Sequence, residues 1–337
     1  MTKPNKKQKT TSASPSFSSI PNASLLYKNL FKNKDEVALC YATAQPFPHG
    51  CLPTLLSPNT LETILSELKN NLKATFKESD LFKFYQTLDV GNLTPETNSE
   101  LCTKMPTLIK MKECLYSEPF RAYIEDLASL PRGTLINKVD CAVNVHANGC
   151  HLLCHDDVIG TRKISFIIYL TDPEPEWTTE DGGHLELYPL ASDGVNPAAI
   201  PSKNILPKFN QLAFFEVRPG KSFHSVQEVY NGERPRMSIQ GWFHAREKPG
   251  NFEMASLERL KSGKKGEDTE GDFDEGFYPS GEEVGDVKEV KEVKKGENGE
   301  RKKIENCLLS KSDRQYLKEY VNPTYLNMES ITQIRER

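Results

Sequence analysis

Apolar positions recur along this chain in two different periods. Behind the Ser57-Pro58-Asn59 start signal, Leu61, Ile64, Leu65, Leu68 and Leu72 fall on one face at helical spacing and predict a helix. Residues 115–130 repeat that period and predict another, stopped at Pro131-Arg132-Gly133. The short apolar run 37–41 reads as a strand, followed by a Pro-rich link from Pro46 to Pro53. From Thr134 onward the period becomes strand-like. Strands are predicted at 135–145, 152–157, 163–170, 184–188, 211–217, 222–229 and 236–243. Turn signals punctuate them at Asn148-Gly149, Asp181-Gly182-Gly183, Pro219-Gly220 and Asn231-Gly232. The expected class is α+β, mainly β: a double-stranded β-helix (jelly roll) braced by N-terminal helices.

Composition divides the chain further. Residues 1–22 are polar and rich in Lys, Ser and Pro, cannot bury enough apolar surface to fold, and are expected to form a disordered tail. The folded domain is expected at 23–247, and a charged, Gly-rich disordered linker at 248–303. Residues 304–337 regain apolar side chains but are too few for a core; Tyr316, Leu317, Tyr320 and Val321 suit a helix ended near Asn322-Pro323. A formal net charge of -4 gives no whole-protein footprint for nucleic acid, so direct nucleic-acid binding is not expected. The eight cysteines are scattered and follow no apolar signal segment, which predicts reduced thiols in cytosol or nucleus. No apolar run approaches the roughly 18 to 20 residues of a membrane helix, so no membrane contact is expected. The sequence leaves the oligomeric state open.

Candidate chemistry gathers around residues 152–170. In an extended strand His155 and Asp157 share a face, and His224 lies at the start of another strand after the Pro219-Gly220 turn. Two histidines and one carboxylate are the set that holds iron(II) on one face of an octahedron, with positions left open for a cosubstrate and dioxygen. Arg236 follows His224 by twelve residues across the Asn231-Gly232 turn, which predicts a neighbouring antiparallel strand. Its guanidinium fork suits the distal carboxylate of 2-oxoglutarate, with Ser238 on the same face and Tyr169 as further hydrogen-bonding groups. Arg234 is the competing anchor, although Pro235 makes its position less strand-like. A zinc site from Cys150, Cys154, His151 and His155 competes for the metal but lacks paired Cys-x-x-Cys spacing. His146, His151, His184 and His244 read as surface or hydrogen-bonded histidines, and Trp177 as loop packing or part of a lid.

The segments Leu152-Leu-Cys-His-Asp-Asp157, 164–170, Gly182-Gly-His-Leu-Glu-Leu-Tyr188, His224-Ser-Val226 and Arg236-Met-Ser-Ile-Gln-Gly-Trp-Phe-His244 resemble the catalytic half of the ribosomal prolyl hydroxylases. The resemblance covers about residues 25–247. It implies a peptidyl-proline hydroxylase dependent on Fe(II), 2-oxoglutarate and dioxygen, with ascorbate as reductant. The implied substrate is a prolyl residue of the small-subunit ribosomal protein at the decoding centre, linked to translation termination and oxygen sensing, in nucleus and cytoplasm. By the same resemblance His155, Asp157 and His224 bind iron, and Arg236 and Tyr169 bind 2-oxoglutarate. Residues 304–337 resemble the start of the family's second, non-catalytic jelly roll, with the remainder not expected in this chain. Two readings compete: a catalytically silent jelly-roll protein regulating a ribosomal or transcriptional partner, and a secreted collagen-type hydroxylase. The Lys-rich start argues against the second.

Overall fold

The computed structural model of the chain describes residues 17–256. Residues 257–303 of the expected linker, the helical remnant and residues 1–16 of the N-terminal tail lie outside the described residues; residues 17–22, expected to be part of a disordered tail, are described, with Ile20 buried in the core and Phe17 packed against it. The elements in order are α1 (Lys34–Thr43), β1 (His49–Leu52), α2 (Pro58–Asn71), β2 (Thr75–Glu78), β3 (Phe82–Asp89), α3 (Pro95–Lys104), α4 (Pro106–Tyr116), α5 (Glu118–Leu127), β4 (Val139–His146), β5 (His151–His155), β6 (Arg162–Tyr169), β7 (Leu185–Leu187), β8 (Lys203–Ile205), β9 (Leu212–Glu216), β10 (His224–Val226) and β11 (Arg236–His244).

The helix starts follow from local chemistry. Proline occupies the first or second position of α2, α3, α4 and α5, where its missing N–H costs nothing, and Thr94 and Ser117 cap α3 and α5 by accepting from backbone N–H groups. Ser117-Glu118-Pro119 also splits the single helix expected at 115–130: Ser117 is extended, so one helix ends at Tyr116 and the next begins at Glu118. That second helix stops before Pro131, because Ser129 turns left-handed and Leu130 N–H reaches back to the Glu125 carbonyl. The strand expected at 37–41 is helical. Asp35 and Glu36 suit a helix N-terminus, only Tyr41 is buried in that helix, and the run is not flanked on two faces as a core strand would be. A strand forms just after it, at His49–Leu52 inside the supposed link.

All eleven strands join one antiparallel sheet in the order β1-β9-β6-β11-β4-β3-β5-β10-β7-β8, with β2 paired to β3. The sheet curls on itself, since Phe215 of β9 packs against His224 of β10, remote in strand order, at 4.6 Å between rings. Alternation then sorts the two faces. Ile164, Phe166 and Ile168 of β6, with Ile239 and Phe243 of β11, face a core built with Leu61, Ile64 and Leu68 of α2 and Phe120, Tyr123 and Ile124 of α5. Each fully buried aliphatic or aromatic side chain there stabilises the fold by about 1.5–3 kcal/mol. With stability carried on that side, the concave face can hold polar groups: Arg236, Ser238, Gln240 and Trp242 of β11 line up beside His146, Asn144, Ala142 and Asp140 of β4. Arg236 is therefore not on the strand next to His224, as expected from their spacing: β10 lies between β5 and β7, whereas β11 lies between β4 and β6. Residues 227–235 cross from one half of the curled sheet to the other.

Candidate active site

Among the described residues one group of three metal-ligating side chains gathers, His155, Asp157 and His224, with ligand atoms all within 4.8 Å of one another. His155 ends β5 and lies opposite His224 of β10 in register. Asp157 arrives differently from the alternation expected of one continuous strand. The strand stops at His155, and Asp157 adopts a left-handed backbone at φ 63°, which aspartate tolerates better than most residues. That turn swings its carboxylate to 3.2 Å from His155 Nε2 and 3.3 Å from His224 Nε2.

Both imidazoles are oriented by their own backbone. His155 Nδ1 lies 2.8 Å from the Leu153 carbonyl and His224 Nδ1 2.8 Å from the Ser222 carbonyl; a carbonyl only accepts, so Nδ1 carries a proton in each ring and Nε2 is the nitrogen turned toward Asp157, with His155 Nε2 in hydrogen-bond reach of its carboxylate. His224 Nε2 is buried and makes no hydrogen bond. Asp157 Oδ2 accepts from Ser165 Oγ and from Trp242 Nε1, each at 2.9 Å. Burial disfavours its charge, but His224 and His155 outweigh this and hold the carboxyl well below its ordinary range. Arg162 stacks on the Trp242 ring at 3.5 Å. Asp156, which points away as expected, accepts from the backbone N–H groups of Gly220 and Ser256 and from Ser256 Oγ. Ala255 packs with Val158, Val217 and Trp242, and Phe252 packs against that cluster, so folded structure runs past the boundary expected at 247. The ligand set, the inward orientation of both Nε2 atoms and an anionic carboxylate all fit iron(II).

Arg236 is fully buried at the other end of β11, and its Nη2 has no partner. Its Nε donates to the Gly183 carbonyl at 2.8 Å and its Nη1 to Ser238 Oγ at 3.4 Å. Gly183 must be glycine: its φ is 70°, and a Cβ there would lie 2.8 Å from Arg236 Cδ. Tyr169 lies directly across from Ser238, under the guanidinium at 5.1 Å from ring centre to Cζ. Its buried hydroxyl is also unpartnered, and burial pushes it up to about 12. Arg236 pairs with no carboxylate among the described residues, and a buried, uncompensated cation is costly. A carboxylate would supply the acceptor that the guanidinium and the phenol lack.

His146 was not legible as part of this site. It is fully buried, sits opposite Arg236 in register, and neither ring nitrogen has a hydrogen-bond partner. The expectation of a surface or hydrogen-bonded histidine is thus wrong for His146, because an isolated His on a strand says nothing about what the neighbouring strand places beside it. His151, His184 and His244 are hydrogen-bonded as expected, to Gly149, to Gln227, and to Thr161 and Asp140. Arg234 is engaged elsewhere, with the carbonyls of Pro175 and Glu176, the Asp181 carboxylate and the Trp177 ring. Trp177 is buried and donates to the Gly182 carbonyl, which makes it packing for the turn that shapes Arg236. The alternative zinc set does not come together.

Residues 141–244 match the model of the 2OG-Fe(II) oxygenase superfamily. The chain is 46% identical over 221 residues to a prolyl 3,4-dihydroxylase OGFOD1 of Ostreococcus tauri, covering 64% of this chain and 42% of that protein. It is 31% identical over 292 residues to a prolyl 3-hydroxylase OGFOD1 of Xenopus laevis, covering 86% of this chain and 44% of that one. The chain thus spans less than half the length of these curated relatives. A crystal structure of a Pseudomonas putida prolyl-4-hydroxylase aligns with a TM-score of 0.44 at 20% identity, over 63% of this chain and 99% of that one.

Proposed function

We propose that this chain is a peptidyl-proline hydroxylase dependent on iron(II), 2-oxoglutarate and dioxygen, a reading supported by the match of residues 141–244 to the 2OG-Fe(II) oxygenase superfamily. The observation that carries the proposal is the pairing, in one concave face, of the His155–Asp157–His224 set with a buried guanidinium that has no counter-charge. Bound iron(II) and 2-oxoglutarate supply the oxidative chemistry that no side chain offers, coupling dioxygen reduction and decarboxylation to hydroxylation of a C–H bond.

The chain's own residues bind, orient and exclude. His155 and His224 turn Nε2 inward, where loss of its proton would free it to ligate a metal, and Ser165 and Trp242 keep the Asp157 carboxylate from rotating. Arg236 and Tyr169 hold the distal carboxylate of the cosubstrate, and His146 has a ring N–H to spare beside them. Ile167, Leu185, Leu187 and Phe215 wall the concave face with apolar surface, which keeps water scarce around the reacting centre.

For the substrate we infer a prolyl residue of the small-subunit ribosomal protein at the decoding centre, a reading supported by the resemblance of the motif segments and by relatives named as prolyl hydroxylases. Nucleus and cytoplasm are the compartments this substrate requires, and ascorbate is the reductant expected to maintain iron(II). The test is anaerobic mixing of the protein with iron(II) and 2-oxoglutarate, followed by oxygen and a peptide from that ribosomal loop. A metal-to-ligand charge-transfer band and the mass gain of one oxygen on proline are expected. A band without peptide oxidation would overturn the substrate, and no band would overturn the activity.

A further inference from the structure

A row of carboxamides crosses the concave face just beside the site. Gln86 of β3, Asn144 of β4 and Gln240 of β11 are each at least nine-tenths buried. Lys77 of β2, closer to the surface, donates from Nζ to Gln86 Oε1 at 2.8 Å. Gln86 Nε2 donates to Asn144 Oδ1 at 2.9 Å, and Asn144 Nδ2 donates to Gln240 Oε1 at 3.0 Å. Gln240 is two residues from Ser238, at the cosubstrate end, and two from Trp242, which holds Asp157.

The direction of this row follows from donor and acceptor accounting alone. An ammonium has three donors and no acceptor, so Gln86 must turn its carbonyl toward Lys77 and its NH2 toward Asn144. Asn144 must then present its carbonyl to Gln86 and its NH2 to Gln240. Gln240 accepts at Oε1, and its NH2 is left over, with no acceptor supplied by the described residues. Successive hydrogen bonds in a low-dielectric interior polarise one another, so a single cation at the outer end biases every amide in the row.

We propose that Lys77 is a positioning residue that fixes the orientation of these three amides, so that Gln240 presents N–H donors to the oxygens of the bound 2-oxo acid. The inference rests on the proposed cosubstrate. A 2-oxo dicarboxylate at neutral pH has oxygen acceptors only, so an NH2 attracts it where a carbonyl oxygen in the same place repels it. Replacing Lys77 by an acceptor reverses the accounting from end to end: Glu at 77 draws the Gln86 NH2 toward itself, Asn144 follows, and Gln240 turns its carbonyl to the ligand.

The test is calorimetric binding of 2-oxoglutarate to the full chain loaded with manganese(II), for the wild type, Lys77→Arg, Lys77→Met, Lys77→Glu and Gln240→Leu. Lys77→Arg keeps wild-type affinity. Lys77→Met weakens binding about threefold and Lys77→Glu about tenfold, the scale of one net hydrogen bond, with manganese affinity unchanged. In a Gln240→Leu background Lys77→Glu has no further effect, whereas a long-range loss of positive charge would persist there. Wild-type affinity in Lys77→Glu, or a full Lys77→Glu effect in the Gln240→Leu background, overturns the inference while leaving the proposed activity intact. A wild-type chain that takes up manganese but no 2-oxoglutarate overturns the proposed function, and the role of the row with it.

Discussion

The two ends of the concave face are built on opposite plans. At the metal end every ligand is braced by the chain: each histidine is tied to a carbonyl two residues back, and the Asp157 carboxylate receives a hydroxyl and an indole N–H. At the proposed cosubstrate end the polar groups are left wanting, with Arg236 Nη2, the Tyr169 hydroxyl and both nitrogens of His146 unpartnered. The braced end needs only small movements to accept an ion, so its folding and its ligand geometry are one problem. The open end carries desolvated polar groups that the chain itself does not satisfy, so a ligand that satisfies them gains affinity at a cost in folding stability.

The largest test of the contrast is at the metal end. His224→Ala is expected to abolish iron binding and 2-oxoglutarate turnover while circular dichroism stays near wild type, measured by metal content after anaerobic loading. Full turnover in this variant would remove the triad from the chemistry.

At the open end Arg236→Lys keeps a charge and loses the fork. The 2-oxoglutarate dissociation constant should rise about ten- to hundredfold, with iron affinity retained. Arg236→Met should abolish cosubstrate binding yet raise the melting temperature of the ligand-free protein, since it removes a buried cation lacking a counter-charge. A lower melting temperature would contradict the contrast between the two ends.

Smaller effects should follow from loosening the brace. Trp242→Phe removes the indole donor to Asp157 and should weaken iron about tenfold, with less effect on 2-oxoglutarate, as seen by competition with a chelator. The segment 252–256 belongs to the same brace through Asp156 and Trp242. Ending the chain after residue 247 should therefore lower the melting temperature by about 5 °C, whereas ending it after residue 262 should leave it near that of the full chain.

The smallest effect concerns pH. Tyr169 has an ordinary value of 10, raised to about 12 by burial, so it remains a proton donor well above neutrality. Above about pH 10 the unfolded chain loses this proton before the folded chain does, so the stability it contributes, complete below that pH, is lost as the pH rises toward 12. In urea titrations at pH 9 and pH 11, Tyr169→Phe should fall in stability less steeply than wild type between the two; equal slopes would show that the hydroxyl does not titrate as described.

What could be read in advance follows the range of the interactions concerned. His155, Asp157, His224, Arg236, Ser238 and Tyr169 could be singled out by ligand chemistry and their order along the chain, and the structure brings the first three within 4.8 Å of one another and sets Arg236 beside Ser238 and Tyr169. The left-handed turn at Asp157 was not legible, since nothing in the two-residue spacing separates it from a continued strand. The helix at Lys34–Thr43 was hidden by an apolar run whose Leu39 is left 66% exposed. His146 and the Gln86–Asn144–Gln240 links of the row depend on register between strands far apart in sequence, which local patterns do not encode.

At position 157 two filters act on the amino-acid alphabet. The backbone filter, φ 63°, passes glycine readily and, among other residues, favours asparagine and aspartate. The chemical filter requires a carboxylate between two imidazoles and passes aspartate and glutamate. Their intersection is a single letter. Glutamate, the usual exchange for aspartate, fails on conformation, and asparagine, the usual backbone mimic, fails on charge. The position therefore has no neutral neighbour in sequence space, whereas His155, at the end of a regular strand, is held by ligand chemistry alone.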